Sequence, residues 1–285
     1  MISVLAGSYT RPPATPYWAA RVVEPSETMP SGSVMTEQPA ELVHYRVDDH
    51  VASLVLDSQH NRNALSRRLL QQLYDGFAAA ERDEDVRVVL VRAEGRTFCS
   101  GADLSEARND GMAETARTLV DLQRRIVTLT KPVVARVHGN VRAGGIGIVA
   151  AADIAVAAHD ATFAFTEVRL GLTPAAISLT VLPRMSDRSA ALTFLTGEVF
   201  TGRDAERMGL VTRTVSETEL NLEVDEICAS LAKGDPQGLR ETKLLLGRPL
   251  VERIDAQGDD LAALSARLFG SERARAAMTA FLSRK

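Results

Sequence analysis

Two segments rich in small residues carry most of the chemistry that this sequence could perform. The first is Cys99-Ser100-Gly101-Ala102-Asp103-Leu104, placed just after a run of β-branched residues. The second runs from Gly139 to Gly147 and opens into the apolar stretch Ile146–Ala152. Small side chains let main-chain N–H groups approach a ligand closely, and the first turn of a helix leaves such donors unpaired. The positive end of the helix dipole adds to the attraction for a developing anion. Two such loops brought face to face would aim a pair of amides at one oxygen, which is an oxyanion hole.

Other chemistries fit less well. Gly145, Gly147 and Ala150 match the spacing of a dinucleotide-binding fingerprint, and Glu167 stands twenty residues beyond Gly147. That fingerprint begins directly at a strand end, whereas Gly139–Gly144 intervene here. The residues around Glu167 do not read as a strand ending in a ribose-binding acid. Neither a G-x-S-x-G elbow nor a G-x-x-x-x-G-K-(S/T) loop occurs, which removes the common hydrolase and phosphate-loop readings. The five histidines and the two cysteines, Cys99 and Cys228, lack metal-ligand spacing, so no metal is expected. The cysteines read as buried thiols of a cytoplasmic protein. A net charge of -4 gives no electrostatic footprint for nucleic acid. No apolar run approaches the ~20 residues that span a bilayer. Neither nucleic acid nor a membrane is therefore an expected partner.

The elements that must hold these loops follow from periodicity. "VHYRVDDHVASLVLD" (43–57) alternates around Asp48-Asp49-His50 as a strand, turn and strand. Leu65, Leu69, Leu73 and Phe77 recur at helical spacing, with Asn63 as the expected N-cap. "VRVVLVRA" (86–93) reads as a strand covered on both faces. "EGRTFCSGADL" (94–104) reads as a loop, 113–129 as an amphipathic helix stopped by Lys131-Pro132, and 133–139 as a strand. After the second glycine segment come the strand "DIAVAA" and a helix beyond Pro174. This alternation predicts an α/β core over 35–215, regular from about Glu41. Residues 1–34, rich in proline, serine and threonine, are expected to be a poorly structured extension. Residues 216–285 read as helical throughout, with breaks at Gly234-Asp235-Pro236 and Gly247-Arg248-Pro249.

In chain order, "RNALS" (62–66), "RTFCSGADL" (96–104), "KPVVARVHG" (131–139), "AGGIGIVAAADIAVA" (143–157), "FTEVRLGLTPAAISLTVLPR" (165–184), "LTGEVFTGRDAERMGLV" (195–211) and "SERARAAMTAFLSRK" (271–285) resemble the crotonase (enoyl-CoA hydratase/isomerase) family over roughly residues 41–285. The resemblance implies a spiral core of ββα turns with a C-terminal α-helical trimerisation region, assembled as a homotrimer or hexamer. It implies an acyl-coenzyme A thioester substrate and no separate cofactor, since coenzyme A arrives with the acyl group. It constrains the reaction less, because one scaffold supports hydration, isomerisation, decarboxylation, dehalogenation and thioester hydrolysis. Carried over position by position, the oxyanion donors are the amides of Ala102 and Gly144. The family's glycine triplet is altered to Ala143-Gly144-Gly145. Coenzyme A would lie along Ser100, Gly101, Ala102, Asp103 and Leu104, with Arg62 and Ala64 beside it. Phe281 and Lys285 are nominated for the adenine.

A hydratase of this family uses two glutamates. The first belongs three residues after the middle glycine of the triplet, which here is Gly147 and cannot move a proton. The second belongs in an F-x-x-P-E motif, supplied here by Phe163-Ala-Phe-Thr166-Glu167 with threonine in place of proline. Glu167 is thus the sole acid/base candidate. If its apolar neighbours Phe163, Phe165, Val168 and Leu170 surround it, desolvation should raise its pKa. The alternative is a solvated glutamate paired with Arg169. One carboxylate is compatible with Δ3,Δ2-enoyl-CoA isomerisation. Hydration is preferred because Pro174–Ser178 resembles a variant found in members that hydrate without the first glutamate. A non-catalytic acyl-CoA-binding protein is the reading from another class. Arg142, beside the oxyanion donor, could meet a substrate carboxylate or a coenzyme A phosphate, or pair with Asp153 or Asp103. His138 reads as a core histidine.

Overall fold

The computed structural model describes residues 40–106 and 112–283. The 1–34 extension and Lys285 lie outside the described residues. β1 (Val43–Asp48) and β2 (Val51–Leu56) form the expected antiparallel hairpin, with Val43 opposite Leu56. Asp49 and His50 both take positive φ, 43° and 66°, the backbone that a two-residue turn between twisted strands requires. Helix α1 (Arg67–Arg82) follows, burying Leu69, Leu73 and Phe77 on one stripe. Its N-cap is Ser66, whose side chain accepts from Leu69 N, and not Asn63 as expected. Asn63 is buried and stitches three loops instead: its Oδ1 accepts from Ser58 N, and its Nδ2 donates to Glu94 O and Thr97 O.

From there the chain repeats one unit, a longer strand, a very short strand and a helix. The turns are β3 (Val88–Ala93), β4 (Thr97–Cys99) and α2 (Met112–Thr128); then β5 (Val133–Val137), β6 (Asn140–Arg142) and α3 (Gly144–Ala151); then β7 (Ile154–Ala158), β8 (Thr162–Ala164) and α4 (Ala175–Val181). Helix α5 (Asp187–Thr196), β9 (Phe200–Thr201), α6 (Gly202–Met208) and β10 (Arg213–Val215) complete the layers. The longer strands join in one sheet of order β1-β2-β3-β5-β7-β10, parallel from β2 onward. The short strands form a second sheet of order β4-β6-β8-β9. The sequence reads β4 and β6 as loop, because three residues are too few to display alternation. Val88, Val89 and Val91 are wholly buried, as their continuous apolar run requires.

Beyond Val215 the described chain is helical: α7 (Leu220–Ala232), α8 (Pro236–Phe269) and α9 (Glu272–Leu282). The expected break at Gly234-Asp235-Pro236 is present, with Asp235 capping α8 and Pro236 in its first turn. The second expected break is absent, and α8 runs unbroken through Gly247-Arg248-Pro249. The carbonyl that Pro249 leaves without a donor belongs to Leu245, which is 73% exposed, so water can satisfy it. Gly247 and Gly258 lie three turns apart where α8 crosses α2. A Cβ on either would come within 3.2 Å of Val127 and 3.0 Å of Val120, respectively. Arg117–Asp259 and Arg124–Asp255 ion pairs, at 2.8 and 2.6 Å, tie the same two helices at the surface.

Candidate active site

The two small-residue loops are brought together by main-chain pairing. Leu65 N donates to Gly101 O at 2.8 Å, Asp103 N to Leu65 O, and Ser100 N to Arg62 O. This seats Arg62 and Ala64 beside Ser100–Leu104, and Ser100 Oγ donates to Asn61 O. The parallel bridge between Leu65 and Ala102 leaves the Ala102 N–H with no partner among the described residues. The Gly144 N–H is likewise unspent, because it opens α3 and has no carbonyl a turn before it. The dinucleotide reading fails here for the same reason: Gly145 and Gly147 lie inside α3.

Glu167 sits in a 3₁₀ turn over Thr166–Leu170, closed by Gly171 at φ 71° and by Leu172 N donating to Glu167 O at 2.9 Å. A small apolar cluster holds this turn. Leu172, Ala274 and Met278 form its centre, and Leu104, Leu170 and Phe269 pack around it, so the turn, the Ala102 loop and the α8–α9 corner share one support. The glutamate keeps partial exposure as a residue, but its Oε2 is buried and has no hydrogen-bond partner. Burial pushes the carboxyl up to about 7, only partly opposed by a hydrogen bond to its own backbone. Val168 points outward, so it does not supply that burial. No ion pair joins Glu167 to Arg169 among the described residues.

Ala102, Gly144 and Glu167 line one pocket that opens to solvent. α2 supplies one wall through Ala116 and Leu119, and the Pro174–Ile177 segment another. Ser265 and Phe269 of α8 close it. The α8 residues had no signal in the sequence, since they fall within an ordinary helical stripe far from the motifs. Gly147 does not line the pocket, and packing takes the space that its side chain would occupy. A Cβ there would meet Ile177 Cγ2 at 2.7 Å and Gln123 Oε1 at 3.2 Å. Gln123 is wholly buried, donating to Leu119 O and Ala176 O while accepting from Thr180 Oγ1 at 2.6 Å.

The remaining sequence candidates lie elsewhere. Arg142 is not in the pocket wall; its guanidinium donates to Val141 O of β6 and to Thr162 O and Thr162 Oγ1 of β8. It pairs with neither suggested acid: Asp153 is taken by Lys243, and Asp103 accepts from Asn61 and Ser105. His138 Nε2 lies 2.7 Å from Gly95 O, outside the pocket wall. Phe281 is exposed on α9. Burial pushes the Cys99 thiol up to about 12, which keeps it neutral beside Gly145. No cluster of three or more His, Cys, Asp or Glu that could hold a metal occurs among the described residues. No helix there is long and apolar enough to cross a membrane.

Comparison with known proteins bears on this geometry. The enoyl-CoA hydratase/isomerase family model matches residues 46–285. A crystal structure of an enoyl-CoA hydratase from Mycobacterium avium is 45% identical with a TM-score of 0.80, covering 87% of this chain and 98% of that one. The mouse mitochondrial enoyl-CoA hydratase domain-containing protein 3 is 32% identical over 266 residues, covering 84% of this chain and 86% of its own. The 2,3-dehydroadipyl-CoA hydratase of Escherichia coli is 32% identical over 199 residues, 69% of this chain and 78% of that protein.

Proposed function

The chain belongs to the crotonase (enoyl-CoA hydratase/isomerase) family, and from that premise we propose that it adds water to 2-enoyl thioesters of coenzyme A. The observation that carries this reading is a glutamate whose Oε2 is buried and unpaired, in one pocket with two unspent main-chain amides. The Ala102 and Gly144 amides hold the thioester oxygen as it gains negative charge, and neither depends on a side chain. Glu167 takes the proton of the attacking water and returns it to the α-carbon. A carboxyl poised near 7 can do both at neutral pH. Coenzyme A runs along Arg62, Ala64 and the Ser100–Leu104 loop, with 216–285 serving in subunit association.

Isomerisation between 3-enoyl and 2-enoyl thioesters is the second reading. The packing of Ile177 against Gly147 favours it, since the side opposite Glu167 then offers no acid to a water molecule. Crotonyl-CoA and a 3-enoyl-CoA separate the two. Loss of the conjugated absorbance marks hydration and its appearance marks isomerisation. Binding of acyl-CoA thioesters with turnover of neither substrate would leave only an acyl-CoA-binding role.

A further inference from the structure

Within this pocket one hydroxyl stands out. Ser265 is 6% exposed, lines the pocket, and makes no hydrogen bond among the described residues. A buried serine or threonine in a helix ordinarily turns its hydroxyl back onto the carbonyl one turn earlier. Thr193, which is also buried, does so here, donating to Ser189 O at 2.8 Å. Ser265 forms no such bond to Leu261. The other hydroxyls of the pocket differ from it: Thr115 is engaged, and Thr173 is exposed. The same pocket is lined by a buried oxygen without a partner, Glu167 Oε2.

A water molecule in a polar niche needs two or more partners. With Ile177 occupying the ground beneath Gly147, an added water must be held from another direction. We propose that Ser265 Oγ, together with the Glu167 carboxylate, holds the water that adds to the β-carbon of the enoyl thioester. Ser265 donates to one lone pair of the water and the water donates one hydrogen to Glu167. The second lone pair forms the new C–O bond at the β-carbon. The C=C π pair moves into the enolate, whose oxygen faces the Ala102 and Gly144 amides. The water's proton passes to Glu167 and then to the α-carbon, so one H and one OH are added in total.

This inference rests on the proposed hydration, and its test separates the two. Wild type, Ser265→Ala and Glu167→Gln are compared in crotonyl-CoA hydration and in wash-in of solvent deuterium at the α-carbon of butyryl-CoA. The second process needs the amides and Glu167 but no nucleophilic water. Ser265→Ala is expected to lower hydration by at least about tenfold, and to lower the ratio of hydration to exchange by a similar factor. Its thermal midpoint should stay close to the wild-type value. Hydration within twofold of wild type overturns the inference, and so does an equal fall in both processes, which is what a merely structural serine would give. If Glu167→Gln leaves hydration intact, the acid/base reading fails on its own, whatever Ser265→Ala does.

Discussion

Ile177 Cγ2 stands 2.7 Å from where a Cβ on Gly147 would be, so the position at which a second catalytic glutamate belongs is closed by packing. The departure from a two-carboxylate site is therefore built into α4 as well as α3. Restoring the acid alone should fail. Gly147→Glu is expected to cost about 1–3 kcal/mol in stability through overpacking, and to lower hydration of crotonyl-CoA. Gly147→Glu combined with Ile177→Ala should recover much of that stability. Thermal melts of the two variants check this, and a single variant as stable as wild type would contradict it.

Glu167 gives a pH signature with a definite sign. Under the proposed hydration only the ionised carboxylate can accept the water's proton, so kcat/KM should rise with pH and level off above about 7. The stability effect runs the opposite way. The folded-state value near 7 lies above the ordinary 4.5, so stability is lost as pH rises from about 4.5 to about 7 and stays lost above. The loss is on the order of 3 kcal/mol. Glu167→Gln removes it. The variant should melt above wild type at pH 8 and level with it at pH 4.5, which calorimetry at the two pH values would measure.

Much of this fold was legible because its long elements follow simple periods. The hairpin at Asp49-His50, the α1 stripe of Leu69, Leu73 and Phe77, and the continuous β3 run all lie where the pattern puts them. The second sheet was not legible, because strands such as Asn140–Arg142 have no room for a pattern. The Gly247-Arg248-Pro249 signal misleads, since a proline inside a helix is tolerated where the freed carbonyl belongs to an exposed residue. In the site, the motifs nominate Ala102, Gly144 and Glu167, which do share a pocket. Ser265 and Phe269 reach it only through the tertiary crossing of α8.

That crossing is anchored at Lys243, which is 3% exposed. Its Nζ donates to Asp153 Oδ2 at 2.6 Å and to the carbonyls of Ile126 and Lys131. Asp153 Oδ2 also accepts from Val133 N, so helix α8 is tied to the large sheet through one carboxylate. Lys243→Ala removes the cation from Asp153 and the donor from two carbonyls, and is expected to cost about 1–3 kcal/mol. Urea titration should show this as a lower midpoint. Lys243→Met, which keeps the volume but not the charge, should lose stability as well, because Asp153 remains.

Ala143 carries the clearest backbone strain in the site. It sits at φ 45°, ψ -121°, a region that glycine takes freely and a Cβ opposes. Its methyl lies 2.9 Å from where a Cβ on Gly101 would be, so it abuts the backbone of the facing loop. Gly101 itself is at φ 90°, directly before the Ala102 amide, and Ala143 directly precedes the Gly144 amide. The methyl therefore acts as a spacer between the two donor loops, held at a conformational cost of about 1–3 kcal/mol. Ala143→Gly releases the strain but frees the loops to shift. It should match or exceed wild-type stability by up to about 1 kcal/mol, once the added freedom of the unfolded glycine is subtracted. At the same time kcat should fall several-fold with KM little changed, because the amides serve the charged transition state more than the bound thioester. A melt paired with steady-state hydration kinetics decides the matter. A variant that loses stability and keeps its kcat would mean that the methyl is packing and not a spacer.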